Sequence, residues 1–279
     1  MRWPVYKHVF FDCDSTLTAV EGIDILAAHA GKQWRVEVLT RAAMDGDLDL
    51  EEIYAKRLQA VRPTREQIRQ IRRDYKRRVV ADARALINTL QALGHEVYII
   101  SGGLAEPVIE FGAYLGVPKE HIRAVSVSYN RLSGHWWQNG NDPRYLAYEP
   151  GALTVSDGKA QIIREFMAGR RGRSLLIGDG NSDLLAGTAV NLFVGFGGVA
   201  KRERVLAEAP AFIHTPSLAP LLPLAAGPAA LSHAQDPALA AKAAKLIQKG
   251  AITFQNERLN QKFQQAYQAI YSRTNGSQP

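Results

Sequence analysis

Asp12 and Asp14 stand one residue apart at the end of an apolar run in "HVFFDCDSTLTAVEGID" (8–24), with Ser15, Thr16, Glu21 and Asp24 close behind. Carboxylates at the end of a buried strand are costly out of water unless something compensates them. Two further stretches share this character. "SLLIGDGNSD" (174–183) follows an apolar run with Asp179 and Asp183, and "EVYIISGG" (96–103) ends in Ser101, Gly102 and Gly103. Lys159 precedes the third run. Four carboxylates brought near one another need a cation, and hard oxygen ligands of this number suit Mg2+. Ser101, Lys159 and the amides of Gly102 and Gly103 supply donors for further negative charge, which implies a phosphate.

Such residues must be carried to one place by the fold. "VFF" (9–11), "EVYIIS" (96–101), "SLLIG" (174–178) and "LFVGF" (192–196) are short apolar runs bounded by Gly, Asp or Ser, with helical patterns at 83–93, 104–115 and 158–168 between the later ones. Short, non-alternating strands separated by helices predict a parallel sheet covered on both faces. Ligands in such a sheet bind at the carboxyl ends of the strands, which is where the carboxylates and the Ser-Gly-Gly lie.

One long interruption runs from about 20 to 78. The stretches 22–31, 33–46, 50–61 and 64–78 each space apolar residues by three and four, as helices do. Thr64 followed by Gln67 after Pro63 is a capping-box opening. A smaller interruption at 126–159, with Asn139-Gly140 beside His135, Trp136 and Trp137, predicts an antiparallel hairpin. The expected organisation is an α/β core over 1–19 and 79–228, a helical cap over 20–78 and a helical extension over 229–279. Within that extension helical patterns lie near 236–249 and 252–272, and the final "SRTNGSQP" reads as disordered.

The ordered set strand-DxDST, strand-SGG, Lys, strand-GDGxxD resembles the haloacid dehalogenase superfamily of aspartate-nucleophile phosphatases. That resemblance implies a Rossmann-like core with an inserted cap. It implies Asp12 as nucleophile and Asp14 as the acid that protonates the leaving oxygen and then deprotonates water. It further implies Mg2+ held by Asp12, Asp179 and the backbone carbonyl of Asp14, with Asp183 supporting the metal. Ser101, Gly102 and Lys159 would hold the phosphoryl group.

Within the superfamily, "FDCDSTLTAVEGIDILA", "RAAMDGDL", "KRLQAVRPTREQ", "ISGG", "NRL" and "GDGNSDLLA" are similar, in the same order, to the phosphoserine phosphatase family over roughly 8–225. Carried over, Glu21 contacts the substrate ammonium, Arg57 the carboxylate, and Met44 packs over the substrate. Ser182 stands where relatives have Asn or Thr and offers a hydroxyl to the phosphate. An acid opposed to a forked guanidinium suits a substrate with one ammonium and one carboxylate. The activity implied is hydrolysis of L-phosphoserine, with another small phosphomonoester as the alternative.

Bulk properties agree with such a reading. A chain of 279 residues, 46% hydrophobic, can bury a substantial core, and its formal charge of +7 suits anionic ligands. Part of that charge is local: "RQIRRDYKRRVV" (69–80) holds six Lys or Arg against one Asp. No aromatic platform interleaves with it, so a solvated helix face is expected rather than nucleic-acid binding. The single cysteine, Cys13, excludes a disulfide framework and fits a reducing compartment as a buried filler. With no apolar signal region or spanning stretch, a cytoplasmic protein without membrane partners is expected. The apolar stripes of the extension leave a homodimer open.

Overall fold

The protein is described here as a computed structural model, covering residues 2–44, 50–129, 145–149, 151–155 and 157–275. Strand β1 (His8–Phe11) is followed by four helices, α1 (Gly22–His29), α2 (Gln33–Met44), α3 (Leu50–Val61) and α4 (Arg65–Arg77). Next come α5 (Ala83–Ala92), β2 (Glu96–Leu104), α6 (Ala105–Leu115), β3 (Ile122–Val125) and the pair β4 (Val127–Tyr129) and β5 (Tyr145–Tyr148). Then α7 (Gly158–Met167), β6 (Ser174–Gly178), α8 (Asn181–Ala186), β7 (Leu192–Phe196), α9 (Glu203–Glu208) and β8 (Ala211–Ile213) alternate. The C-terminal part holds α10 (Leu221–Ala226), α11 (Ala230–His233), α12 (Pro237–Gln248), β9 (Ile252–Phe254) and α13 (Glu257–Asn275).

The main sheet has the order β3-β2-β1-β6-β7-β8-β9, parallel throughout except for β9, which runs antiparallel to β8. Strand residues alternate between two buried layers. Val9, Phe11, Val97, Ile99, Leu175 and Ile177 face one set of helices, where Leu86, Ile87, Val108 and Phe111 meet them. Phe10, Tyr98, Ile100 and Leu176 face the other, where Ala160, Ile163, Ala186 and Val205 lie. Because both faces are covered, the strands carry no polar alternation, as the sequence pattern implied. Cys13 is buried in the first of these layers. Burial pushes its thiol well above the ordinary value, with Asp14 and Asp12 adding to the effect, so it is a poor nucleophile.

The chain leaves the sheet at Thr18 and returns at Val79, where the two residues form an antiparallel bridge and Val80 N–H donates to the Leu17 carbonyl. Between these points lie α1–α4. The Thr64 capping box is present in full: Gln67 N–H donates to Thr64 Oγ1, and Thr64 N–H donates to Gln67 Oε1. Ile68, Ile71 and Tyr75 form the buried stripe of α4. Four of its six basic residues are partnered across to α6, with Arg65 and Arg69 on Glu106 and Arg72 and Lys76 on Glu110.

Strands β4 and β5 pair antiparallel, as expected for the second interruption. Asn139, Gly140, His135, Trp136 and Trp137 lie outside the described residues. The C-terminal part departs from an all-helical pattern. The stretch 252–254, expected to open a helix, is the edge strand β9, and Gly250 just before it takes a positive φ of 78° that ends α12. Helix α13 carries on through Asn275, beyond the 272 at which the pattern fades, so the first part of "SRTNGSQP" is helical.

Candidate active site

Strand β1 sits between β2 and β6, so the carboxyl ends of these three strands open side by side. The chain continues from β1 into Asp12, whose N–H extends the ladder by donating to the Ile177 carbonyl. Asp179 follows β6 directly, and Asp183 returns from the first turn of α8. There Gly180 N–H donates to Asp183 Oδ2 at 3.1 Å. Gly178 must lack a side chain, because a Cβ there would stand 2.3 Å from the Asp183 carboxyl carbon. Asp12, Asp179 and Asp183 thereby bring one carboxylate oxygen each to within 4.8 Å of one another, all buried.

Lys159, second residue of α7, reaches this cluster from the side. Its Nζ donates to Asp12 Oδ1 at 2.7 Å and to Asp183 Oδ1 at 2.6 Å. Burial alone would lower the ammonium's pKa, but Asp12 and Asp183 outweigh that and hold it above the usual lysine value. Thr16 Oγ1 donates to Asp179 Oδ1 at 3.2 Å, and Arg202 Nε to Asp179 Oδ2 at 3.0 Å.

The cluster remains short of positive charge. Burial and the charge of Asp12 push Asp179 and Asp183 up to about 7, each also raised or relieved by its neighbours. Three convergent, buried carboxylates facing two side-chain cations among the described residues fit a divalent metal bound through oxygen.

Asp14 faces the same mouth from the helical side, half-buried. Tyr75 O–H donates to its Oδ1 at 2.5 Å and Gly22 N–H to its Oδ2 at 3.0 Å. Burial pushes Asp14 up to about 8, with the charge of Glu21 adding to the rise and the two hydrogen bonds opposing it. A carboxyl that holds its proton near neutral pH can donate it and take it back.

Ser101 is buried three residues before the end of β2, which runs on through Gly102 and Gly103 to Leu104, and its Oγ accepts from Gly103 N–H at 2.9 Å. That amide is therefore engaged locally, although it is one of the two glycine amides expected to face a phosphate.

Glu21 accepts from Ser15 Oγ at 2.9 Å and from Arg202 Nη2 at 3.4 Å. Ser15 takes a positive φ of 55°, which turns the backbone sharply after Asp14. Arg57 on α3 is half-buried, and its Nε is enclosed with no hydrogen-bond partner among the described residues. Burial lowers its pKa against the opposing charges of Glu21 and Asp24, so these three groups share one field. Ser182 is half-buried in the first turn of α8. Met44 ends α2, and its side chain lies outside the described residues.

Residues 9–187 match the model of the haloacid dehalogenase-like hydrolase family. The chain belongs to that family. It is 31% identical to the phosphoserine phosphatase of Drosophila melanogaster over 207 residues, 74% of this chain and 73% of the relative. With the phosphoserine phosphatase of Mus musculus the identity is 32% over 198 residues, 71% and 84% of the two chains. The solved structure of a phospho-aspartyl intermediate analogue of phosphoserine phosphatase superposes with a TM-score of 0.64 at 23% identity. It covers 78% of this chain and 98% of that one, a likeness of fold. The protein is accordingly a phosphatase with the Rossmann-like core of haloacid dehalogenase-like hydrolases.

Sequence reasoning gave no role to three side chains of this hydrolase site: Arg202, Tyr75 and Thr16, the last named only as part of its motif. Arg202 follows β7, the last of the four apolar runs read from the sequence, whose carboxyl end was not read for chemistry although "GGVAKRE" carries cations there. Thr16 sits inside the DxDST motif itself. Tyr75 offers no local signal, because it falls on the apolar stripe of a helix and reads as core.

Proposed function

We propose that the protein hydrolyses L-phosphoserine to serine and phosphate through an aspartyl-phosphate on Asp12. The observation that carries this reading is a pair of opposed substrate readers beside a phosphoryl site. Glu21 and the enclosed guanidinium nitrogen of Arg57, which has no partner among the described residues, share a field next to the Asp12–Lys159–Asp183 cluster. An unsatisfied buried donor is expensive, and a substrate carboxylate would satisfy it.

In this reading an Asp12 oxygen attacks phosphorus, and the bond to the serine oxygen breaks as Asp14 delivers its proton there. Water then attacks the phosphorus of the aspartyl-phosphate, Asp14 takes the proton of that water, and phosphate leaves with Asp12 restored. Lys159, Ser101 and the Gly102 amide steady the phosphoryl oxygens, and Ser182 offers a further hydroxyl. Asp12 and Asp179, with the Asp14 carbonyl, would hold Mg2+ and Asp183 would back them. The cation, when bound, supplies positive charge to a reaction that consists largely of positioning and charge stabilisation. Met44 is assigned to the lid over the substrate.

The product is a free amino acid, and we infer a cytoplasmic role in serine biosynthesis. Among the described residues no helix is long and apolar enough to cross a membrane. The pairing of the α4 cations with Glu106 and Glu110 supports a solvated face rather than a nucleic-acid surface.

The test is phosphate release from a panel of small phosphomonoesters, with Mg2+ and with EDTA. L-phosphoserine is expected among the best substrates and EDTA is expected to stop turnover. A phosphorylated amine or sugar clearly preferred over phosphoserine would overturn the substrate assignment.

A further inference from the structure

Two groups of the helical insertion hold the Asp14 carboxyl. Tyr75, in the last turn of α4, donates to Oδ1, and Gly22, the first residue of α1, donates its N–H to Oδ2. The phenol has little freedom to move. Its ring is fully buried and lies edge-on to Phe111 of α6 with centroids 5.3 Å apart, and the Tyr75 carbonyl accepts from Thr18 Oγ1.

Gly22 completes the arrangement, since a Cβ there would stand 2.6 Å from the Tyr75 hydroxyl. The hydroxyl occupies the space the glycine leaves. On the other side, a Cβ on Gly103 would meet Ser101 Oγ at 3.1 Å and Asp14 Oδ2 at 3.5 Å. Oδ2 is thus the oxygen on the Ser101 side, and Oδ1 is the one turned back to Tyr75.

Resting on the reading of Asp14 as acid and base, we propose that Tyr75 is a positioning residue for that proton transfer. Its hydroxyl anchors the carboxyl by Oδ1 and so aims Oδ2 at the leaving oxygen and then at the attacking water. A neutral phenol suits this task better than a cation. It donates to the carboxyl whether or not Asp14 carries the proton, and it favours the ionised form less than the full charge of an Arg or Lys would. Misplacement of a reacting group by about 1 Å can cost about a hundredfold in rate, so a fixed anchor has kinetic consequences. The contact also makes acid placement depend on how α4 and α1 are seated against the sheet.

Leaving-group dependence tests the idea. In Tyr75→Phe, kcat/KM for phosphoserine is expected to fall about tenfold or more, because its alkoxide must be protonated as it leaves. For p-nitrophenyl phosphate, whose phenolate leaves without a proton, the fall should be less than about threefold. KM should change little on either. Gly22→Ala pushes the hydroxyl aside without altering Tyr75 and should reproduce the same selectivity, which also covers a Tyr75→Phe protein that fails to fold. Equal losses on both substrates, or no loss, in these variants overturn the proposal. Asp14→Asn separates the two levels. If it shows the selective loss while the other two variants do not, only the Tyr75 role fails. If it shows none, the reading of Asp14 fails and the role of Tyr75 goes with it.

Discussion

The ammonium of Lys159 donates to Asp12 Oδ1 at 2.7 Å inside a wall of side chains that leaves both residues buried. Its second bond, to Asp183, makes it the bridge between the β1 and β6 strand ends. Removing it leaves three buried carboxylates with Arg202 as their remaining side-chain cation among the described residues. Breaking a buried pair by deleting one partner costs about 3–5 kcal/mol, and losing a preorganised charge at a transition state costs about 10²–10³ in kcat. Lys159→Met is therefore expected to lower both the melting temperature and kcat, the latter by about a hundredfold or more. A folded variant with kcat within tenfold of the parent would exclude Lys159 from phosphoryl stabilisation.

Arg57 governs specificity in the proposed reading. Hydrogen bonds to charged groups contribute about 1.5–3 kcal/mol, which corresponds to about ten- to a hundredfold in affinity. Arg57→Ala should raise KM for phosphoserine by that factor and change KM much less for O-phosphoethanolamine, which keeps the ammonium and phosphate but lacks the carboxylate. Steady-state kinetics on the two esters decide it. Equal changes would mean that Arg57 does not read the carboxylate.

The strand ends and the DxD, Ser-Gly-Gly and GDGxxD residues were legible because each lies at a local break in apolar pattern, where a carboxylate or glycine has no structural reason to be. The Thr64–Gln67 box was legible for the same reason: its two partners are three residues apart. Arg202 was not, because its meaning depends on β7 lying next to β6, a relation between segments far apart in the chain. Strand β9 was hidden differently. "ITF" has a strand's composition, but its flanking helical patterns absorb so short a segment, and only the open edge of β8 selects the extended form. Tyr75 shows the limit most clearly, since its ring obeys the core pattern and only the hydroxyl, meeting Asp14 across sixty-one residues, departs from it.

His95 gives the fold a pH dependence of its own. It is buried, its Nδ1–H donates to the Tyr6 carbonyl at 2.7 Å, and burial holds its pKa below the ordinary 6.5. As pH falls below 6.5 the unfolded chain takes up a proton that the folded chain resists, so this residue's contribution to stability is lost on the acid side. Asp14, Asp179 and Asp183 act in the opposite sense, because carboxyls raised in the folded state add stability as pH falls through their folded values of about 7 to 8. The comparison must therefore be between parent and His95→Asn, with EDTA present. Urea midpoints measured from about pH 7.5 to about pH 5 should fall more for the parent than for the variant. Parallel curves would show that His95 does not titrate differently on folding.

The C-terminal stripe finds its cover on the chain's own core. Strand β9 closes the sheet edge on β8, Lys242 Nζ pairs with Asp82 at 2.6 Å, and Leu239, Ala243, Ile247, Phe263 and Tyr267 are buried. Trp3 joins both ends: its indole N–H donates to the Leu224 carbonyl, and its ring meets Phe254 and Phe263 edge-on at 6.0 and 5.0 Å. None of the residues around the acidic cluster takes a hydrogen bond or ion pair from this region among the described contacts. Truncation after Gly227 would uncover the β8 edge and the Trp3 pocket together, so it should destabilise the fold strongly. Phe263→Ala is the finer probe. Deleting a buried phenylalanine costs about 3–5 kcal/mol, enough to lower the melting temperature by about 10 °C in a chain of this size. Because the cavity lies in the layer against Trp3 rather than at the strand ends, kcat below the transition should stay within about twofold of the parent. A melting temperature unchanged in Phe263→Ala would mean that the extension does not pack as described. A stable variant with lost turnover would mean that the extension shapes the active site.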